Sequence, residues 1–267
     1  INPWMQDRIG TVDKLLARQQ WQDLHDILSQ HAAVTVLPSV SDMPDLVFSA
    51  NGAVVNCDTA VIANFYHSQR QVEEPVFERW FRHQGFNTVK FDSSVVLEGA
   101  GDALFEPNQL KLWLGYGHRS NFMAANALED LFEVEVLPLR LTDPMFYHLD
   151  TCFCPLNGGH VLYYPGAFDE AAQQLIAEHY SEEQRIIVDA EDAASFACNC
   201  VNLSSGSVVE SGGVIVMSCC SEALQQRLRD LDYHVLTAPT GEFIKAGGSV
   251  KCLTLSLNHC VRADHLG

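Results

Sequence analysis

A strand, helix, strand rhythm that returns about every fifty residues constrains this chain more than any other feature of its sequence. Ala53–Asn56 reads as a strand, residues 73–83 as a helix carrying Phe77, Trp80 and Phe81, and residues 87–91 as the next strand. The succession returns as helix 123–131 before strand 134–139, helix 170–179 before strand 185–189, and helix 221–231 before strand 233–237. Ahead of these, residues 6–31 place Ile9, Val12, Leu15, Leu16, Trp21, Leu24 and Leu28 at helical spacing for one buried face, with Gly10 as a break. Residues 34–37 read as a strand, and Asn51 falls at the polar end of a strand that begins at Asp45. Such a recurrence builds either a doubly wound α/β sheet or several units about an axis, and periodicity does not choose between them. No linker rich in Pro, Gly or Ser interrupts it, so residues 1–267 read as a single domain.

Charge narrows the partners. With 34 acidic against 16 basic residues the formal net charge is −18, which excludes a nucleic-acid partner, since affinity for polyphosphates comes from Lys and Arg. A negative field favours small cations. The apolar runs are strand-sized and fall short of the ~20 residues a spanning helix needs, so no membrane partner is expected. No basic and apolar leader opens the sequence, and secretion is not expected either. The nine cysteines are odd in number, and Cys152-Phe-Cys154, Cys198-Asn-Cys200 and Cys219-Cys220 leave one residue or none between partners. A disulfide framework does not fit that count, and structural zinc pairs usually have about two to four residues between them. The expectation is a reducing cytoplasm, buried thiols, no metal and no cofactor.

Three segments hold residues suited to chemistry. Gly247-Gly248-Ser249-Val250-Lys251-Cys252 sets a cysteine at the start of an apolar strand behind flexible glycines. His148 and Asp150 are two apart, so an extended segment would turn both to one face. Glu98-Gly-Ala-Gly-Asp102 ends an apolar stretch with two acids and two glycines, as a site loop would. Alone, each also reads as a buried strand cysteine, a surface histidine or a solvated turn.

In combination and in order they resemble the guanidino-modifying penteins, the superfamily of arginine deiminases, dimethylarginine dimethylaminohydrolases and amidinotransferases. The likeness rests on Phe48-Ser49-Ala50-Asn51, Arg70-Gln71-Val72-Glu73, Glu98 to Asp102, Gly115 to Ser120, His148-Leu149-Asp150-Thr151 and Gly247 to Cys252. Ile1-Asn-Pro-Trp-Met5, residues 148–156 and 196–199, and the run from Glu242 to Gly248 look most like the arginine dihydrolase branch, whose domains also occur at the front of longer bifunctional chains.

The resemblance implies a five-fold pseudo-symmetric α/β propeller of ββαβ-like units around a central pocket. It implies a hydrolase of guanidinium C–N bonds with L-arginine as its small-molecule partner, and it leaves a homo-oligomer open. Carried over, Cys252 is the nucleophile and His148 the acid/base, Glu98 and Asp150 bind the guanidinium, Arg70 and Arg119 hold the substrate carboxylate, and Phe48 lines the pocket. Asn51 stands where deiminases carry an aspartate. An amide offers both an acceptor and a donor, so it suits a guanidinium first and a neutral ureido group second. That points to a dihydrolase giving ornithine, two ammonia and carbon dioxide. The competing readings are a deiminase or methylarginine hydrolase that stops at citrulline, and a non-catalytic arginine sensor. Residues 241–248 offer a candidate lid, with Glu242 and Lys245 as gate residues.

Overall fold

In the computed structural model, which describes residues 2–203 and 212–262, one strand plan occurs four times. After α1 (Lys14–Ser29), β1 (Ala53–Asn56) and β2 (Thr59–Ile62) pair antiparallel; α2 (Ser68–Gln71) and α3 (Glu74–His83) follow, and β3 (Asn87–Val89) returns parallel to β2. β4 (Ala103–Phe105), β5 (Lys111–Tyr116), α4 (Met123–Phe132) and β6 (Glu135–Arg140) repeat the plan. So do β7 (Phe153–Pro155), β8 (Val161–Tyr163), α5 (Glu170–His179) and β9 (Arg185–Ile187). After α6 (Ala190–Ala194), the fourth set is β10 (Val201–Leu203), β11 (Val214–Met217), α7 (Glu222–Asp230) and β12 (His234–Thr237), before α8 (Gly241–Ile244). An antiparallel neighbour needs only a short reversal, whereas a parallel one needs a crossover, which a helix supplies in each repeat.

The chain divides into two compact units, residues 1–36, 150–167 and 177–251 in one and residues 37–149, 168–176 and 252–267 in the other. The second contains β1 to β6. There Ala53 and Val55 of β1 join Ile62, Phe65, Phe77 and Phe81 in one core, while Val54 joins Val61, Leu97, Leu112, Leu114 and Leu128 in another. Alternate side chains leave opposite faces of a strand, so a sheet covered on both faces requires the continuous apolar run seen here. Caps set the helix starts: Asp13 accepts from the N–H groups of Leu15 and Leu16, and Ser221 from that of Leu224.

Several expectations change. Residues 34–37 form no strand. Of the apolar face expected over residues 6–31, Leu24 and Leu28 are buried, but Ile9 and Leu15 are more than four-fifths exposed. Asn51 does not end a strand; it lies in a 3-10 turn, Ser49–Gly52, that leads into β1. Cys252 lies in a turn rather than a strand, and a 3-10 turn, Leu149–Thr151, replaces the extended segment expected around Asp150. Part of the candidate lid is α8, with Glu242 buried and accepting from Lys245 Nζ and the Asp13 N–H. Cys57 and Cys260 are joined in a disulfide, where a reducing compartment and no disulfide framework were expected; the other seven cysteines are thiols. Among the described residues, no helix is long and apolar enough to cross a membrane.

Leu128→Ala, which empties a fully buried site on α4, should cost about 2–5 kcal/mol, whereas the exposed Leu15→Ala should stay within about 0.5 kcal/mol. Thermal melting of the two variants side by side checks this ordering.

Candidate active site

Three of the repeats open on a 3-10 turn: Ser49–Gly52 before β1, Gly99–Gly101 before β4 and Leu149–Thr151 before β7. Phe48, Glu98 and His148 each stand five residues ahead of those strands, and the fourth repeat has the buried Phe196 at the same point. Asn51, Arg70, Glu98, Arg119, His148 and Cys252 all belong to the unit that holds residues 37–149 and 252–267, and every one is buried. Asp150, also buried, belongs to the other unit, where its carbonyl accepts from Asn199 Nδ2 at 2.9 Å.

Glu98 and His148 form the tightest pair, with Nε2 2.6 Å from Oε2. Arg119 Nη1 donates to the same oxygen at 3.4 Å, the Tyr66 N–H donates to the other at 3.1 Å, and the Arg119 guanidinium lies over the Tyr147 ring. Burial pushes the Glu98 carboxyl up, but the His148 hydrogen bond and the charges of His148, Arg119 and Arg70 outweigh it and bring its pKa from 4.5 down to about 2. An ionised Glu98 only accepts, so Nε2 bears the proton and Nδ1 is the ring atom available for chemistry when the imidazole is neutral.

A second carboxylate holds the backbone. Asp102 accepts from the Ser120 hydroxyl at 2.6 Å, the Ser120 N–H at 3.2 Å and the Leu149 N–H at 3.1 Å, and the same hydroxyl accepts from the Glu98 N–H at 2.9 Å. The immediate neighbours of Arg119 and His148 are thereby fixed to one side chain, together with Glu98 itself. Burial raises the Asp102 pKa, with His148 and Ser120 acting against it.

Asn51 has Arg70 on one side, where Nη1 donates to its Oδ1 at 2.8 Å, and the imidazole on the other, with its Nδ2 3.5 Å from His148 Nδ1. The resemblance assigned Arg70 to the substrate carboxylate; in the structure its guanidinium bonds within the protein. Nε and Nη2 donate to Glu73, Nη2 also donates to the Asp45 carbonyl, and the ion lies over the Phe65 ring. The Glu73 bond keeps the guanidinium protonated against the effect of burial. Gly99 (φ 59) and Gly101 make room for Asn51: a Cβ on Gly101 would meet its Nδ2, and one on Gly99 its backbone.

Cys252 is tied to this segment through backbone. Its carbonyl accepts from the Ala50 N–H at 3.2 Å, and the next carbonyl, of Leu253, accepts from the Ser49 hydroxyl at 3.1 Å. Sequence reasoning passed over Glu73 and Ser120 as site residues and left Asp102 undecided between orienting Glu98 and orienting backbone. Glu73 lies three residues after Arg70, a spacing that brings helical side chains together. Among the described residues, no group of three or more His, Cys, Asp or Glu side chains is placed to hold a metal.

The family model described as N,N dimethylarginine dimethylhydrolase, eukaryotic, matches residues 6–259. The bifunctional arginine dihydrolase/ornithine cyclodeaminase AgrE of Nostoc sp. is 44% identical over 99% of this chain, and the corresponding ArgZ of Synechocystis sp. is 41% identical over 99%. The chain spans 36% of the length of each of these two relatives. A crystal structure of the N-terminal domain of ArgZ, a mutant bound to substrate and described as an arginine dihydrolase, superposes with a TM-score of 0.94 at 40% identity, covering 98% of this chain and 94% of that one.

Gly101→Ala should displace the Asn51 amide, and a misplacement near 1 Å is worth roughly 100-fold in rate, so steady-state turnover should fall by about that factor while overpacking of the buried site lowers stability by about 1–3 kcal/mol. Glu98 has a lowered pKa, so its ionisation stabilises the fold above pH 4.5 and that contribution is lost as pH falls toward 2. Melting temperature against pH should accordingly drop less steeply across that window in Glu98→Gln than in the parent.

Proposed function

Because the chain belongs to the dimethylarginine dimethylhydrolase family, we propose that it works on a guanidinium carbon and that its reaction is the dihydrolysis of L-arginine to L-ornithine, two ammonia and carbon dioxide. One observation carries the choice within the family: an amide, Asn51, faces Nδ1 of a histidine whose Nε2 is held by Glu98. The identity to AgrE and ArgZ supports the same choice.

In this reading the Cys252 thiolate attacks the guanidinium carbon, and Nδ1 of His148 delivers the proton with which ammonia departs, leaving a thiouronium on sulfur. Nδ1 then takes a proton from water, which adds to that carbon and expels the thiolate, giving enzyme-bound citrulline. A second attack by Cys252 on the ureido carbon releases the second ammonia and leaves a thiocarbamate; water displaces sulfur, and the resulting carbamate breaks into ornithine and carbon dioxide. Two waters are consumed in all. Glu98 and Asp150 bind the guanidinium, Arg70 and Arg119 the substrate carboxylate, and Phe48 forms apolar wall. Glu98 does most of its work through the imidazole.

The four repeated sheets support a five-fold pseudo-symmetric α/β propeller as the architecture, and the unbroken family match over residues 6–259 supports one catalytic domain. The shorter span relative to AgrE and ArgZ supports a place within a longer bifunctional chain. Seven cysteines kept as thiols support a cytoplasmic location, although the Cys57–Cys260 disulfide weighs against it.

Incubation with arginine, counting ammonia per arginine consumed, should give two for the parent protein and a value near one, with citrulline accumulating, for Asn51→Asp. Ornithine output unchanged by that substitution would overturn the choice of dihydrolase over deiminase. Cys252→Ser should lower turnover of arginine by roughly 10,000-fold or more, measured as ammonia release.

A further inference from the structure

The hairpin between β1 and β2 turns on two residues, Cys57 and Asp58, and both grip a segment far along the chain. Cys57 has a left-handed φ of 54, which Asn or Gly adopts at little cost and other residues rarely enter, so its sulfur rather than its turn preference accounts for a cysteine there. That sulfur is joined to Cys260, 203 residues later. Around the bridge, the Cys57 N–H donates to the His259 carbonyl at 2.7 Å, and the buried Asn56 side chain bonds both the N–H and the carbonyl of Val261. Asp58 pairs with Arg262 at 2.9 Å, and the His259 ring stacks on Phe105. The segment held in this way is the one that begins at Cys252. Its first tie runs from the Ala50 N–H to the Cys252 carbonyl; seven residues further on both sides comes the tie from Cys57 to His259, so residues 252–259 run parallel to β1, the edge of its sheet, at a constant offset.

We propose that the Cys57–Cys260 pair is a thiol–disulfide exchange site, opened by a dithiol reductant and closed by exchange with a disulfide, that sets how firmly the Cys252 segment is held and so how fast the protein turns over. This rests on the reading of Cys252 as nucleophile and is indifferent to whether one or two ammonia are released. Cys260 is exposed and Cys57 half-buried, whereas Cys152, Cys154, Cys198, Cys200 and Cys252 are buried, so the bridge is within reach of an incoming thiolate. That thiolate attacks the Cys260 sulfur, the bridge breaks, and Cys57 leaves as a thiolate and takes a proton. The second thiolate of the reductant then displaces Cys260 from the mixed disulfide, so the protein ends with two thiols and the reductant as a disulfide. Once the bridge is open, hydrogen bonds and the packing of Leu255 and Leu257 on the core hold the segment, and the Cys252 sulfur, eight residues from Cys260, gains freedom. Binding side chains elsewhere in the chain are unaffected, so kcat responds rather than KM.

The test compares protein with the bridge closed and the other seven thiols free, as counted by alkylation and intact mass, with protein opened by dithiothreitol and with Cys57→Ser/Cys260→Ser. Opening should lower the melting temperature by roughly 5–10 °C, because a cross-link across so long a loop restricts the unfolded chain strongly. It should lower kcat for ammonia release from arginine about threefold or more while KM stays within about twofold. The double variant should match the opened parent and ignore dithiothreitol. A kcat equal or higher in the opened parent overturns the proposal, whatever the melting temperature does, and leaves the bridge a static cross-link. So does a bridge that stays closed in dithiothreitol, or one that does not form when the protein is treated with oxidised glutathione. If neither form releases ammonia, the hydrolase reading fails as well, a result told apart from failure of the switch alone, in which both forms are active. Should the double variant not fold, the opened parent decides, since alkylation followed by peptide mapping shows which cysteines have opened.

Discussion

The site depends on keeping Glu98 ionised where water is excluded. A buried carboxylate without partners would take up a proton. Here the His148 imidazole, the Arg119 guanidinium and the Tyr66 N–H surround it, and the carboxyl ends far below its ordinary range. Much follows from that charge. It decides which histidine nitrogen keeps a proton and which is left with a lone pair when the ring is neutral. It also gives the buried Arg119 a partner close by. Removing either partner of such a pair is far more damaging than the pair's net contribution suggests, because the other ion is left buried alone.

The repeats explain how such a group is assembled from distant sequence. Glu98 and His148 are fifty positions apart, yet each occupies the same place ahead of the first strand of its repeat, beside a 3-10 turn. One local solution for entering a strand, used again and again, sets a buried side chain at a fixed point of each repeat, polar in the second and third and aromatic in the first and fourth. The Asp102 carboxylate then links two of those entries through Ser120 and the Leu149 N–H. Within the unit that holds Glu98 and His148, the backbone N–H groups of Tyr66, Ser120 and Leu149 are fixed to buried acids.

Much of this was legible in the residues. The helices of the second to fourth repeats stood out because amphipathic periodicity survives in a single sequence, as at Glu170–His179. Strands such as β4 and β7 were not read, because three-residue buried runs have no period to display. Cys252 and Asn51 were placed on strands since apolar neighbours dominate a local window, whereas tight turns use the same residues and differ only in long-range bonds, such as that from Ala50 to the Cys252 carbonyl. For the same reason the partners of Arg70 were hidden: Asp45 and Asn51 meet it only after folding, whereas Glu73 lies three residues away. The Cys57–Cys260 bridge joins positions 203 residues apart, beyond the reach of any spacing rule.

The unit that holds Glu98 and His148 is discontinuous, and Cys252 enters it more than a hundred residues after the histidine. During synthesis on the ribosome, the segments bearing Asn51, Arg70, Glu98, Arg119 and His148 emerge long before the one that bears Cys252. A nascent chain at that stage can gather the polar groups but lacks the segment that closes the unit. The Ala50 N–H and the Ser49 hydroxyl therefore meet their acceptors, the Cys252 and Leu253 carbonyls, only once the returning segment has been made, so the turn before β1 is completed by the last part of the unit to appear.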